Sequence, residues 1–124
     1  MELSEEQRAA WVALVETLVP AENHPAGTTA RVLAGLERRL AGDLAGEGEV
    51  LGRWLDGLHQ EAISVFSSAF AELHMGIRDE LLDRIEAENY RTEWGLGEAG
   101  VTPAGYLDRV VGWVMEEFER VPSA

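Results

Sequence analysis

Cysteine is absent from this chain of 124 residues. That excludes a disulfide framework, a thiolate zinc site, an iron–sulfur cluster and a thiol nucleophile. Lysine is absent too. All ten basic residues are arginine, set against 23 acids for a net charge of -13. Beside so much Ala, Gly, Val, Leu and Glu, the missing lysine reads as genome composition. So acidic a chain repels phosphate backbones and anionic membrane surfaces, so nucleic acid is not an expected partner. The acids form no block, which fits a solubilising role. No apolar run approaches the ~20 residues of a membrane span. The start Met-Glu-Leu-Ser-Glu-Glu-Gln has no basic region, apolar core or twin-arginine pair. As it stands the sequence reads as cytoplasmic, and as periplasmic only where an export signal has been removed or a partner carries one. No segment alternates in the manner of a strand, so an all-α bundle of about five helices with no sheet is expected.

The length fits one helical domain over residues 1–124. A chain of this size buries roughly two-thirds of its unfolded surface, so it needs no metal or crosslink to fold. A first helix is expected from Glu5 to Val19. Ser4 is its N-cap, Gln7 closes a capping box, and Trp11, Leu14, Val15 and Leu18 form its inner stripe. Pro20 ends it. After the breaker-rich Pro20–Gly27 connection, Thr28 or Thr29 caps a second helix to about Leu40 or Leu44. Its face is Val32, Leu33, Leu36 and Leu40, with Arg31, Glu37, Arg38 and Arg39 outside.

The longest helical pattern starts at Gly48. Leu51, Trp54, Leu55, Leu58, Ala62, Val65, Phe66, Ala69, Phe70 and Leu73 follow at steps of three and four. The pattern predicts one helix to a break at Leu73–Gly76, with Arg53, Asp56, Gln60, Glu61, Ser64, Ser67, Ser68 and Glu72 mostly on the opposite, outward side. Gly52 and Gly57 inside it each cost on the order of 1 kcal/mol relative to alanine, and close packing is the expected reason for Gly57. A fourth helix follows from Met75 to Ala87 or Tyr90, with Ile77, Leu81, Leu82 and Ile85 inward and Arg78 among the outward residues. A glycine-rich connection over Thr92–Val101 leads to a final helix. Thr102 caps it, Pro103 opens it, and Leu107, Val110, Val111, Val114 and Phe118 form its stripe. Glu116, Glu117 and Glu119 near its end oppose the helix dipole, which implies a solvated terminus.

Chemistry-bearing residues are sparse. Asp56 and His59 share a helix face, but no second His or Glu pair completes a metal site. The plain reading is a surface pair. His24 lies in a loop, and His74 is expected to hydrogen-bond backbone at a helix junction. Ser64, Ser67 and Ser68 have no strand-to-helix elbow. Trp94-Gly95-Leu96-Gly97 has no preceding strand, so it is no dinucleotide fingerprint. No catalytic, cofactor-binding or metal residue is assigned, no cofactor is expected, and the chain reads as no enzyme. Trp94 in its loop, with Tyr106 and Trp113 off the main stripe of the last helix, form a candidate partner-docking patch. The plain reading is that they cover one end of the bundle.

Two stretches carry a resemblance. One is Leu3-Ser4-Glu5-Glu6-Gln7-Arg8 with Leu14-Val15-Glu16-Thr17-Leu18-Val19-Pro20-Ala21-Glu22 and the Pro25-Ala26-Gly27 turn. The other is Phe66-Ser67-Ser68-Ala69-Phe70-Ala71-Glu72-Leu73, then Arg78-Asp79-Glu80-Leu81-Leu82-Asp83-Arg84-Ile85-Glu86. The chain resembles the gluconate 2-dehydrogenase subunit 3 (small or gamma subunit) family over residues 3–90. The resemblance implies a non-catalytic accessory subunit that binds and stabilises a larger flavoprotein dehydrogenase subunit acting on a sugar or sugar acid. Many members carry a twin-arginine signal that this sequence lacks. After Tyr90 the family's Gly-Gly-Asn and Gly-Trp closing pattern is also missing, so the helix over residues 102–121 is expected to diverge. The alternative is a self-standing helical homo-oligomer, or a protein holding a small apolar ligand between its helices.

Overall fold

A computed structural model describes residues 3–20 and 27–121. His24 and the Pro25-Ala26 turn lie outside the described residues. Five helices are present: α1 (Glu5–Leu18), α2 (Thr28–Leu40), α3 (Gly48–Phe66), α4 (Met75–Glu86) and α5 (Pro103–Glu119). Short 3-10 turns fill the connections, and no strand occurs among the described residues. The architecture is the all-α bundle that the periodicity predicts.

Local chemistry sets the helix starts. The Ser4 hydroxyl accepts from the Gln7 backbone N–H at 3.1 Å, and the Gln7 side-chain oxygen accepts from the Ser4 N–H at 2.9 Å. This reciprocal pair satisfies two donors that a helix start leaves open. Gln7 then reaches further. Its Nε2 donates to the Gly52 carbonyl at 3.2 Å and to Asp56 Oδ1 at 3.1 Å, tying the start of α1 to α3. At the start of α5 the Thr102 hydroxyl accepts from the Gly105 N–H at 2.9 Å, with Pro103 in the first turn. α2 departs from expectation. Its cap is Gly27, in the left-handed region at φ 88°, and no side chain caps it. Thr28 is instead the first helical residue and is buried. Glycine adopts this conformation without the Cβ clash that threonine would meet.

The expected third helix is too long. α3 stops at Phe66, where Ser67 turns left-handed at φ 59° and donates its N–H to the Ile63 carbonyl. Phe70 still reaches the core, fully buried, from a 3-10 turn at Phe70–Glu72. Apolar spacing therefore continued through a break in the backbone. Serines are weak helix formers because their hydroxyls compete for backbone groups. The carbonyls released by the break find Arg78. Its guanidinium donates to the Phe70 carbonyl at 3.3 Å, the Ala71 carbonyl at 2.9 Å and Glu16 at 2.9 Å, and it sits over the Phe70 ring at 5.8 Å. Arg78 is thus buried, not outward as its place in the pattern predicts. A planar fork with several donors suits this role better than an ammonium would.

α1 touches every other helix, so it and not α3 is the centre of the bundle. Trp11, Leu14 and Val15 on its inner face are fully buried. α5 closes the bundle against α1, α2 and α4. The apolar interior is one continuous cluster with members from all five helices and from the loop that carries Trp94 and Leu96.

Candidate functional site

The three aromatics of the expected patch come together, but inside the protein. Trp94 is 7% exposed, Tyr106 0% and Trp113 7%. They belong to a row that runs Tyr90, Trp94, Trp54, Tyr106, Trp113, with successive ring centroids 6.2, 5.5, 6.1 and 5.9 Å apart. Tilted and edge-on contacts at these distances are favourable for aromatic pairs. Trp54 anchors the row by donating its indole N–H to the Pro103 carbonyl at 3.0 Å. The Tyr106 hydroxyl donates to Glu47 at 3.1 Å, and Arg109 lies over its ring at 5.3 Å. Burial, followed by the Glu47 carboxylate, pushes the Tyr106 phenol well above its ordinary pKa. The reading that placed these rings off the inner stripe is corrected: the loop before α5 folds inward and carries Trp94 with it.

The inward fold has two causes, both on α3. Gly57 leaves room for the indole. A Cβ there would stand 2.4 Å from Trp94 Cε3 and 2.5 Å from Cδ2. Close packing, expected at Gly57, is what is found. One turn further on, Glu61 is only 1% exposed. Its Oε1 accepts from the Thr92 N–H at 3.0 Å, the Thr92 hydroxyl at 2.7 Å and Trp94 Nε1 at 3.4 Å, and its Oε2 accepts from the Arg91 N–H at 2.7 Å. Burial raises the pKa of this carboxyl, but the hydrogen bonds from Arg91, Thr92 and Trp94 outweigh it and hold the pKa below the ordinary carboxylate value. Glu61 is the clamp of the loop. By sequence it read as an outward polar residue. The signal that could have found it is its i,i+4 relation to Gly57.

A second feature lies at the other side of α5. A cleft of about 550 Å3 opens between α2 and the end of α5. Arg31, Arg38 and Arg39 of α2 line it with Arg120 and Glu117 from the α5 end, and with Asp43. Glu117 is 6% exposed, so one of the three acids expected at a solvated terminus is buried instead. It lies on Gly35, where a Cβ would stand 2.6 Å from Glu117 Oε1, and it accepts from Arg120 at 3.0 Å. Sequence reasoning missed this cleft. The signal was the spacing of Arg31 and Arg38, seven apart on one face of α2.

The other polar candidates do not converge. Asp56 accepts from Gln7, while His59 Nε2 stands 3.9 Å from Glu6. His74 caps α4 through its backbone, with no hydrogen bond from its side chain to the helix start, contrary to expectation. Among the described residues no three of His, Asp and Glu are grouped to hold a metal ion. No helix among them is long and apolar enough to cross a membrane.

The fold and these features define a helical bundle whose polar groups chiefly brace its own loops and helix ends. The chain belongs to the gluconate 2-dehydrogenase subunit 3 family, whose sequence model matches residues 5–115. The match runs beyond Tyr90, through the Trp94 loop and into α5, further than the resemblance alone reached. No curated protein and no solved structure matches the chain.

Proposed function

We propose that this protein is a non-catalytic accessory subunit that binds and stabilises a larger, flavin-dependent dehydrogenase subunit. Family membership over residues 5–115 is the observation that carries the reading. The flavin and the sugar or sugar-acid substrate would belong to the larger chain. The protein's own contribution would be a stiff scaffold. The Trp94 loop and α5 are held to α3 by the aromatic row and by Glu61, so the surface above them is pre-organised for docking. Trp94 and Trp113 reach that surface only by their edges, 7% each. In this reading the row supports the interface more than it supplies contact area.

Self-association is the second reading. Its physical support is small, since Ile63 and Met75 are the large apolar side chains left exposed among the described residues. Scattered exposure of that kind is ordinary. Co-expression with the flavoprotein dehydrogenase of the same organism, followed by size-exclusion chromatography, tests the choice. Co-elution of both chains in fixed ratio supports the accessory subunit. Separate elution, with a symmetric dimer of this chain, supports self-association.

A further inference from the structure

The arginine cleft between α2 and α5 has no part in bracing the Trp94 loop. Four of the chain's ten arginines line it, on a protein whose net charge is -13. Arg39 is engaged by Glu116 at 3.1 Å and Asp43 at 3.5 Å, and Arg120 by Glu117 at 3.0 Å. Arg31 and Arg38 are exposed and have no acid within ion-pair distance among the described residues. Glu37, the one acid of α2, stands 2.7 Å from Arg8 of α1.

Helix stability does not account for both residues. Arg38, in the last turn of α2, complements the helix dipole. Arg31, close to the N-terminus of the same helix, opposes it. Seven positions apart, they are offset by ~10.5 Å along the helix, which leaves room for two carboxylates side by side. Buried Glu117, lying against Gly35 and paired with the exposed Arg120, makes the floor polar, which disfavours an apolar occupant.

We propose that this cleft binds an acidic segment of a partner protein chain, with Arg31 and Arg38 taking two of its carboxylates. Elsewhere the acidic surface repels such a segment, so the cleft fixes where and how the partner docks. The inference rests on the accessory-subunit reading for its source, the larger dehydrogenase chain.

Fluorescence anisotropy with a labelled oligoglutamate peptide tests the cleft directly. The whole protein is expected to bind the peptide at low salt and release it at high salt. R31A/R38A is expected to bind about ten-fold more weakly, the sum of two exposed ion pairs. R31K/R38K, which keeps the charge, retains most of the binding, and circular dichroism confirms that each variant folds. No binding, or equal binding by R31A/R38A, overturns the proposal. Citrate binding as tightly as the peptide overturns it in favour of small anions. Capture of the larger chain by the wild type and its loss in R31A/R38A places the segment on that chain; undiminished capture by the variant overturns that placement. Peptide binding without capture of any larger chain keeps the cleft and rejects the accessory-subunit reading.

Discussion

Replacing Gly57 with alanine should destabilise the protein although alanine is the better helix former. In an open helix the change would stabilise by about 1 kcal/mol. Here the new Cβ would stand 2.4, 2.5 and 2.9 Å from Cε3, Cδ2 and Cγ of Trp94. Carbon atoms rest at about 3.5–4.0 Å, so the indole must withdraw by about 1 Å or more. Rotation of the ring does not relieve this, because Cγ is where the ring joins its stem. Overpacking of this kind costs about 1–3 kcal/mol. Withdrawal also breaks the Trp94–Glu61 hydrogen bond, about 1 kcal/mol more. After the helix gain is subtracted, a net loss of roughly 1–3 kcal/mol remains. Gly112→Ala in α5 is the control: it has no heavy atom within 4 Å of its added Cβ. That variant should gain up to about 1 kcal/mol. Urea denaturation followed by far-ultraviolet circular dichroism measures both. A Gly57→Ala protein as stable as the wild type would refute the packing argument.

Glu61→Gln should cost about 1–3 kcal/mol at neutral pH, since an amide nitrogen cannot accept the Arg91 N–H or replace the lost acceptors. Because the fold holds the Glu61 pKa below the ordinary carboxylate value, its contribution is fully present at neutral pH. The contribution fades as pH falls through the folded value, so urea melts of wild type and variant should converge in acid; a gap that widens there would reject the clamp. Trp54→Phe should lose roughly 1–3 kcal/mol more than Trp11→Phe in the same assay. The first strands the Pro103 carbonyl, while the Trp11 N–H has no partner to lose. Equal losses would show that the Trp54 hydrogen bond contributes nothing. Arg78→Ala should cost about 1–3 kcal/mol, because it abandons the Ala71 carbonyl, leaves the Phe70 carbonyl with only the Leu73 N–H, and removes the partner of half-exposed Glu16. A thermal midpoint unchanged by the substitution would contradict that role.

The parts of this fold legible from sequence are those decided within one helical turn. Ser4 with Gln7 and Thr102 with Pro103 carry their caps in adjacent residues, and the stripes of α1 and α5 carry their burial in their spacing. Gly57 was legible as a cost that needed a reason, though the reason, Trp94, lies far along the chain. The misread residues are polar ones whose partners are distant. Arg78 meets Glu16, and Glu61 meets Arg91, Thr92 and Trp94, through turns that no local pattern announces. Glu117 is buried because α2 presents a glycine opposite it. The end of α3 was hidden for another reason: Phe70 keeps helical spacing while leaving the helix. The exposure expected of Trp94 was misread on the same point as Glu61, since the path of the loop decides whether Trp94 faces water or Gly57.

In the proposed function this chain holds a larger oxidoreductase subunit. Mild affinity purification of the tagged, full-length protein from its source organism tests it most directly, with the visible spectrum recorded on the eluate. The expected eluate holds a larger chain in stoichiometric amount and shows flavin absorbance at about 450 nm, the cofactor being carried by that chain. The protein eluting alone and colourless would contradict it.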